Sequence, residues 1–196
     1  MPLPRSFYAR PTRQVARALL GCRLVRRWQG QCLAGIIVET EAYVGENDQA
    51  CHARAGRTLR NAVMYGRPGL AYVYFTYGMH WMLNVVTERL DYPAAVLIRA
   101  LEPVEGVEQM MLQRPAARPI EVCRGPAKLT RALRIDQALN GVDLCERDAV
   151  WIEAGEPLPA RSVGRGPRVG LFTAPEPWKS KPWRYWVKNS PFVSKR

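Results

Sequence analysis

The sequence predicts an α+β fold: one domain over residues 1–196 with a largely antiparallel β-sheet, surrounding helices and a protruding β-hairpin. Three observations lead there. Strand-like runs are separated by short turn signals, helical patterns occur singly without a regular βαβ alternation, and 47% hydrophobic content over 196 residues suffices for one core.

Residues 13–20 place Val15, Ala16, Leu19 and Leu20 on one helical face, with Pro11 before them and Gly21 just past the end. Residues 22–28 and 31–43 read as strands around a Gln29-Gly30 turn, the second rich in β-branched side chains at Ile36, Ile37 and Val38. Residues 70–76 alternate, with Tyr72 and Tyr74 on one face, and 77–80, Tyr-Gly-Met-His, turn the chain before a strand at 81–86. The result is a hairpin with an aromatic tip. Residues 94–101 form a buried strand, 105–113 a helix, and Gly125-Pro126 opens a helix through Leu133 whose first turn offers N–H groups to a phosphate. Late strands fall at 149–153 and 183–188, and the Pro/Gly/Arg-rich stretches 113–119 and 154–167 read as connections.

Charge narrows the function classes. Twenty-nine Lys and Arg against 17 Asp and Glu give a formal net charge of +12, a field that attracts nucleic acid or an anionic membrane. Residues 68–87 lack Asp, Glu, Lys and Arg, but their glycines, tyrosines, His80 and Asn84 argue against a membrane span. Five cysteines without a CxxC pair indicate neither a disulfide framework nor a zinc ribbon, and the N-terminus lacks the apolar run of a signal peptide, so a reduced cytoplasmic chain is expected.

Within this basic chain, residues 36–52, IIVETEAYVGENDQACH, gather two carboxylates, a tyrosine and a histidine. On a strand Glu39, Glu41 and Tyr43 share a face, which is either a solvated strand face or one wall of a cleft. A basic protein with few histidines and no Walker loop, G-x-S-x-G or H-E-x-x-H suits scission of an N-glycosidic bond. The sugar becomes oxocarbenium-like, so an oriented water and one ionised carboxylate are enough. Neighbouring Lys and Arg are expected to keep that carboxylate ionised. Chemistry on a base within a duplex requires extrusion of the nucleotide. Tyr77 at the hairpin tip suits a wedge, and Tyr43, Tyr74 and His52 suit a stacking pocket.

The segments ETEAY (39–43), the stretch around His52 and Arg54, YVYFTYGM (72–79), Asn84, LIRALEP (97–103), GPAKL (125–129), RVG (168–170) and NSPFVS (189–194) together resemble the alkyladenine (3-methyladenine) DNA glycosylase family over nearly the whole chain. The resemblance, and not the spacing, selects Glu41 as the residue that activates water and leaves Glu39 structural. It implies that Arg99 positions the water and the phosphate beside the target sugar, and that the backbone carbonyl of Val169 completes the cradle. Tyr43, His52 and Tyr74 would enclose the flipped base, Asn84 would reject undamaged guanine, Tyr77 would be the wedge, and Met79 and His80 would line the minor groove. Arg57, Lys128, Lys181 and Arg184 are expected at the DNA backbone. His80 stands where relatives often carry another aromatic, and TERLDYP (87–93) departs from the mammalian pattern.

The resemblance implies a monofunctional hydrolase of base excision repair acting on 3-methyladenine, 7-methylguanine, hypoxanthine and ethenoadenine. Its partner would be double-stranded DNA containing damaged purines, with no cofactor, metal, lyase step or membrane, and the protein a monomer. Two other classes stay open: a non-catalytic binder of structured RNA or damaged DNA, and a metal-dependent nuclease using Glu39, Glu41, Asp48 and His52.

Overall fold

The structure, a computed structural model, describes residues 1–115 and 118–194; two residues of the connection expected at 113–119 lie outside the described residues. The chain opens with two short helices, α1 (Arg5–Tyr8) and α2 (Thr12–Ala18), and then the hairpin of β1 (Arg23–Trp28) and β2 (Gln31–Val44). A second hairpin, β3 (Ala71–Thr76) and β4 (His80–Val86), is followed by β5 (Ala94–Glu105), α3 (Val107–Leu112) and α4 (Pro126–Ala132). Three short strands complete the chain: β6 (Val150–Glu153), β7 (Val163–Gly166) and β8 (Arg184–Val187). The strand order is β3-β4-β5-β2-β1-β6, with β8 joined to both β2 and β7, and every pairing among the described strands is antiparallel. This is the expected α+β architecture.

The site depends on β2. Its 14 residues are buried almost continuously, because helices cover one face and the candidate site occupies the other. Thr40 Oγ1 donates to the Ala16 carbonyl of α2 over 2.8 Å, satisfying a carbonyl in the helix's last turn. By the period of two, Glu39 and Glu41 then face away from α2. The early part of β2 pairs with β1 and its middle, Glu39 to Glu41, with β8, while β5 runs along the other edge. The β2/β5 ladder breaks register between Ile37 and Glu39 and again between Glu39 and Thr40, so it steps over Val38 on one strand and Arg99 on the other. Val15 and Leu19 near α2, Met110 of α3 and Leu129 of α4 join Ile37, Ile98 and Leu101 in the main core. A smaller cluster of Cys51, Ala53, Met64, Tyr65, Tyr72, Val86 and Ala95 supports the pocket loop.

Several boundaries differ from expectation. β5 continues to Glu105, because Pro103 and Glu105 still lie opposite Gly35 and Ala34, and the helix expected from 105 begins at Val107. His80 belongs to β4 and pairs with Thr76, leaving Tyr77 and Gly78 as the central residues of a turn closed by Met79 N–H on the Thr76 carbonyl (3.2 Å). Both have positive φ, 52° and 67°, the signature of the primed turns that match strand twist. The stretch 154–167 was expected to be only a connection, yet β7 lies inside it. Its VGRG sequence carries weak strand propensity, but Gly164 lies against the Trp186 indole, and a Cβ there would come within 2.3 Å of the ring. Among the described residues no helix is long and apolar enough to cross a membrane, and residues 68–87 contain the β3-β4 hairpin.

Candidate active site

Four elements bring the expected pocket residues together. A cavity of about 310 Å³ is lined by Tyr43 from β2, His52 from the loop after β2, Tyr74 from β3 and Asn84 from β4, with Arg99, Val169 and the hairpin-tip Tyr77 also in its wall. That volume lies at the lower end for small-ligand pockets. Among the described residues no lysine lines it.

Aromatic rings dominate the walls. The His52 and Tyr74 rings meet edge to face with centroids 4.5 Å apart, and Tyr72 and Tyr74 lie 5.2 Å apart. His52 Nδ1 sits 3.0 Å from the Tyr72 hydroxyl. His52 as a residue is exposed, while its ring packs edge to face against Tyr72 and Tyr74. Desolvation, with Arg60 and Arg54 adding their charge, lowers its pKa to about 4, so it is neutral at neutral pH. Asn84 is buried, and its Nδ2 donates to the Tyr72 carbonyl over 3.1 Å, which fixes the amide against the pocket.

Glu41 lies directly behind this wall, fully buried. Its Oε1 accepts the Val169 N–H at 2.6 Å and faces Arg99 Nη1 at 3.4 Å, and Oε2 accepts the Tyr43 hydroxyl at 2.9 Å. Desolvation is the largest influence on it and raises its pKa, outweighing Arg99 and the two donors. Burial therefore sets its pKa above that of an ordinary glutamate in spite of the nearby cation. Tyr43 is pushed well above its usual value by the same burial and by the neighbouring carboxylate.

Glu39 occupies a different environment on the same face. Its Oε1 accepts from Arg99 Nε at 3.1 Å and Arg184 Nη1 at 3.2 Å, and its Oε2 from the Ser194 N–H at 2.7 Å. It is thus a buried hub joining β2, β5, β8 and the C-terminal segment.

One expected role changes. Arg184 is buried in β8, paired with Glu39 and stacked 4.6 Å over Trp186, so it is not placed as a backbone contact for DNA. Arg99 is buried and turned to both carboxylates, with Ser194 Oγ at 3.3 Å from Nη2, and it also lines the pocket. At Val169 the backbone N–H donates to the Glu41 carboxylate, a contact the sequence did not suggest.

The remaining positions are spread over the surface, with Tyr77 alone of them in the described pocket lining. Tyr77, 76% exposed, stands at its rim, and Met79 and His80 are exposed beside it. Lys128 is half-buried in a groove shared with Met79, His80, Arg131 and Arg134. Arg57 is exposed, with its guanidinium 5.4 Å over Tyr65. Lys181 stacks on Trp178 at 3.3 Å and Trp183 at 4.6 Å. The four nuclease candidates do not form one cluster: Asp48 is paired with Arg168, Glu39 with Arg99 and Arg184, and among the described residues no three His, Cys, Asp or Glu side chains gather to hold a metal ion. Sequence reasoning used Val169 of RVG and passed over Arg168, and it gave no role to Tyr72 or Ser194. The motifs RVG and NSPFVS were the available signals.

A family model described as methylpurine-DNA glycosylase matches residues 6–191. A protein of Methanocella arvoryzae is 53% identical over 195 residues, covering 99% of this chain and 96% of that one. One of Carboxydothermus hydrogenoformans is 49% identical over 196 residues, covering 100% of each, and one of Myxococcus xanthus is 48% identical over 193 residues, covering 98% and 93%. Each of the three is named "Putative 3-methyladenine DNA glycosylase".

Proposed function

Because this chain belongs to the methylpurine-DNA glycosylase family, we propose that it is a monofunctional DNA N-glycosylase that flips alkylated or deaminated purines from duplex DNA and hydrolyses the N-glycosidic bond with a water activated by Glu41. The observation that carries this reading is the buried Glu41 carboxylate, held by Tyr43, Val169 and Arg99 immediately behind an aromatic pocket of base-binding character.

The flipped base stacks on Tyr43, Tyr74 and His52, contacts worth about 1–3 kcal/mol per base. As the bond from C1′ to the base nitrogen breaks, its electron pair leaves with the base and the sugar becomes positive. The ionised Glu41 stabilises that charge and takes a proton from the water whose oxygen bonds to C1′. Oε2 has one partner among the described residues, Tyr43, which leaves it an acceptor position for that water. A raised pKa makes Glu41 a stronger base than an ordinary glutamate. The absence of lysine from the described pocket lining favours water over an amine nucleophile and so gives an abasic site without strand nicking.

3-Methyladenine and 7-methylguanine leave as neutral bases from cationic nucleotides, and ethenoadenine and hypoxanthine complete the proposed range. Neutral His52 has no proton to lend hypoxanthine at neutral pH. Asn84, locked by its bond to the Tyr72 carbonyl, opposes the exocyclic amine of guanine. A strong normal glycosidic bond makes that misfit decisive, whereas the weakened bond of 7-methylguanine tolerates it. Tyr77 fills the vacated stack, Met79 and His80 follow the minor groove, and Arg57, Lys128 and Lys181 meet phosphates within the field of a +12 protein. The chain would act as one domain and as a monomer, in the cytoplasm where duplex DNA is reached.

The deciding experiment incubates the protein, in EDTA, with a duplex carrying one hypoxanthine or ethenoadenine. Free base and an alkali-labile abasic site are expected. Tight binding without base release would instead establish a non-catalytic binder.

A further inference from the structure

Arg168 does not line the pocket, yet it joins the parts that do. Its Nη1 donates to the Ala42 carbonyl at 2.9 Å and to Asp48 Oδ2 at 2.5 Å; its Nη2 donates to Asp48 Oδ1 at 2.9 Å and to the Trp178 carbonyl at 3.3 Å. The guanidinium lies 4.7 Å over the Tyr43 ring and 5.0 Å over Trp183. Asp48 extends the linkage by accepting the N–H groups of Val44 (3.2 Å) and Ala50 (3.1 Å), at the two ends of the loop that leads to His52. Both charged side chains are fully buried. A forked guanidinium can hold a carboxylate, two carbonyls and two ring faces at once, and a lysine ammonium cannot.

Among the described residues, the Tyr43 hydroxyl and the Val169 N–H donate hydrogen bonds to Glu41. Arg168 stacks on the first residue and directly precedes the second in the chain. We propose that Arg168, anchored by Asp48, is the positioning residue of this site: it fixes the Tyr43 ring and the Val169 amide, and through them the direction of the Glu41 carboxylate, while Asp48 fixes the opposite pocket wall. This inference rests on the glycosylase reading above. Arg168 also faces Glu41 electrostatically, together with Glu39 and Tyr43 from β2, Arg99 from β5 and Tyr74 from β3, and Arg184 lies opposite Glu41 in the β2/β8 register. Its positive charge favours the ionised carboxylate.

The test measures single-turnover base release across a pH series for wild type, Arg168→Gln, Arg168→Lys and Asp48→Asn, with binding to a duplex containing an abasic-site analogue used to count folded sites. Arg168→Gln is expected to lose on the order of 10²-fold in rate, the scale of a small misplacement of catalytic geometry, and to move the acid limb to higher pH by about one unit, while binding changes little. Arg168→Lys restores the charge and hence the limb, but recovers the rate only partly. Asp48→Asn loosens the anchor and keeps the guanidinium, so the rate falls without an upward shift of the limb, and this variant decides the matter if Arg168→Gln fails to fold. Wild-type protein that binds and releases no base sinks the glycosylase reading. Wild type that releases base, alongside an Arg168→Gln protein with an unmoved limb or an unchanged rate, overturns this inference alone; if only Asp48→Asn can be measured, an unchanged rate overturns it.

Discussion

The Tyr43 hydroxyl donates to Glu41 Oε2 over 2.9 Å, so a residue that walls the base pocket also holds the carboxylate behind it. On the proposed reading, stacking and base strength are therefore coupled through one side chain. Tyr43→Phe keeps the ring and removes the donor. The expected outcome is an acid limb of base release shifted to higher pH and a rate at neutral pH lower by about tenfold, the scale of a hydrogen bond to a charged group. Single-turnover kinetics over pH check it, and an unchanged limb would remove Tyr43 from control of Glu41.

Glu41→Gln should lose about 10²–10⁴ in rate, the usual worth of a positioned base, while retaining binding to lesion DNA. It should also be more stable than wild type at neutral pH. Burial raises the Glu41 pKa, so the folded state favours its protonated form. That contribution is fully present below the pH at which an unfolded glutamate titrates, about 4.3, and is lost as pH rises through the raised folded value. The neutral amide escapes the loss. Melting curves at pH 7 should show a higher midpoint, by about 2–4 °C for each kcal/mol recovered, and a lower one would mean that the carboxylate is better satisfied than its burial implies.

Glu39→Gln separates the two acids. The substitution removes the charge that Arg99 and Arg184 share in a buried setting. Losing one side of such a pair typically costs about 3–5 kcal/mol. Denaturant unfolding should show a large loss of stability, with any loss of rate following from a displaced Arg99. A stable variant with a rate as low as that of Glu41→Gln would show that Glu39 shares the chemistry.

His52 gives the fold a pH dependence of opposite sign to Glu41. Its pKa is depressed to about 4 from an unfolded value of about 6.5. The stability it contributes is present above about pH 6.5 and is lost as pH falls through about 4. His52→Gln should flatten the decline seen in urea titrations over that window, and an equal slope in both proteins would place the titrating group elsewhere.

Tyr77→Ala should leave thermal stability within experimental scatter, since the residue is 76% exposed. Capture of a lesion in a normally paired site should weaken more than capture of an already unstacked base. Equal effects on both substrates would count against a wedge.

Much of the site was legible because it lies on a few contiguous segments. Residues 39–52 alone supply Glu41, Tyr43 and His52, β3 and β4 supply Tyr74 and Asn84, and the turn between them supplies Tyr77. What could not be read was pairing between distant segments. Arg184 looks like any surface arginine in a basic chain, and its burial follows only from its meeting Glu39 across the β2/β8 ladder. Arg99 reaches both carboxylates at a break in strand register, which leaves no mark in composition. β7 escaped notice because Gly164 serves the packing of Trp186, a tertiary demand that overrides strand propensity.

The placement of Glu41 in β2, between β5 on one edge and β8 on the other, has a consequence for motion. Amides in such doubly paired strand exchange with deuterium only in openings close to global unfolding, whereas the Tyr77 turn, closed by one bond at 3.2 Å, should exchange through fast local fraying. Hydrogen–deuterium exchange would then divide the protein into a stiff half that holds the reacting carboxylate and a compliant tip that probes the helix. On the proposed reading, lesion search would proceed by fluctuations of the tip without disturbing the geometry at Glu41.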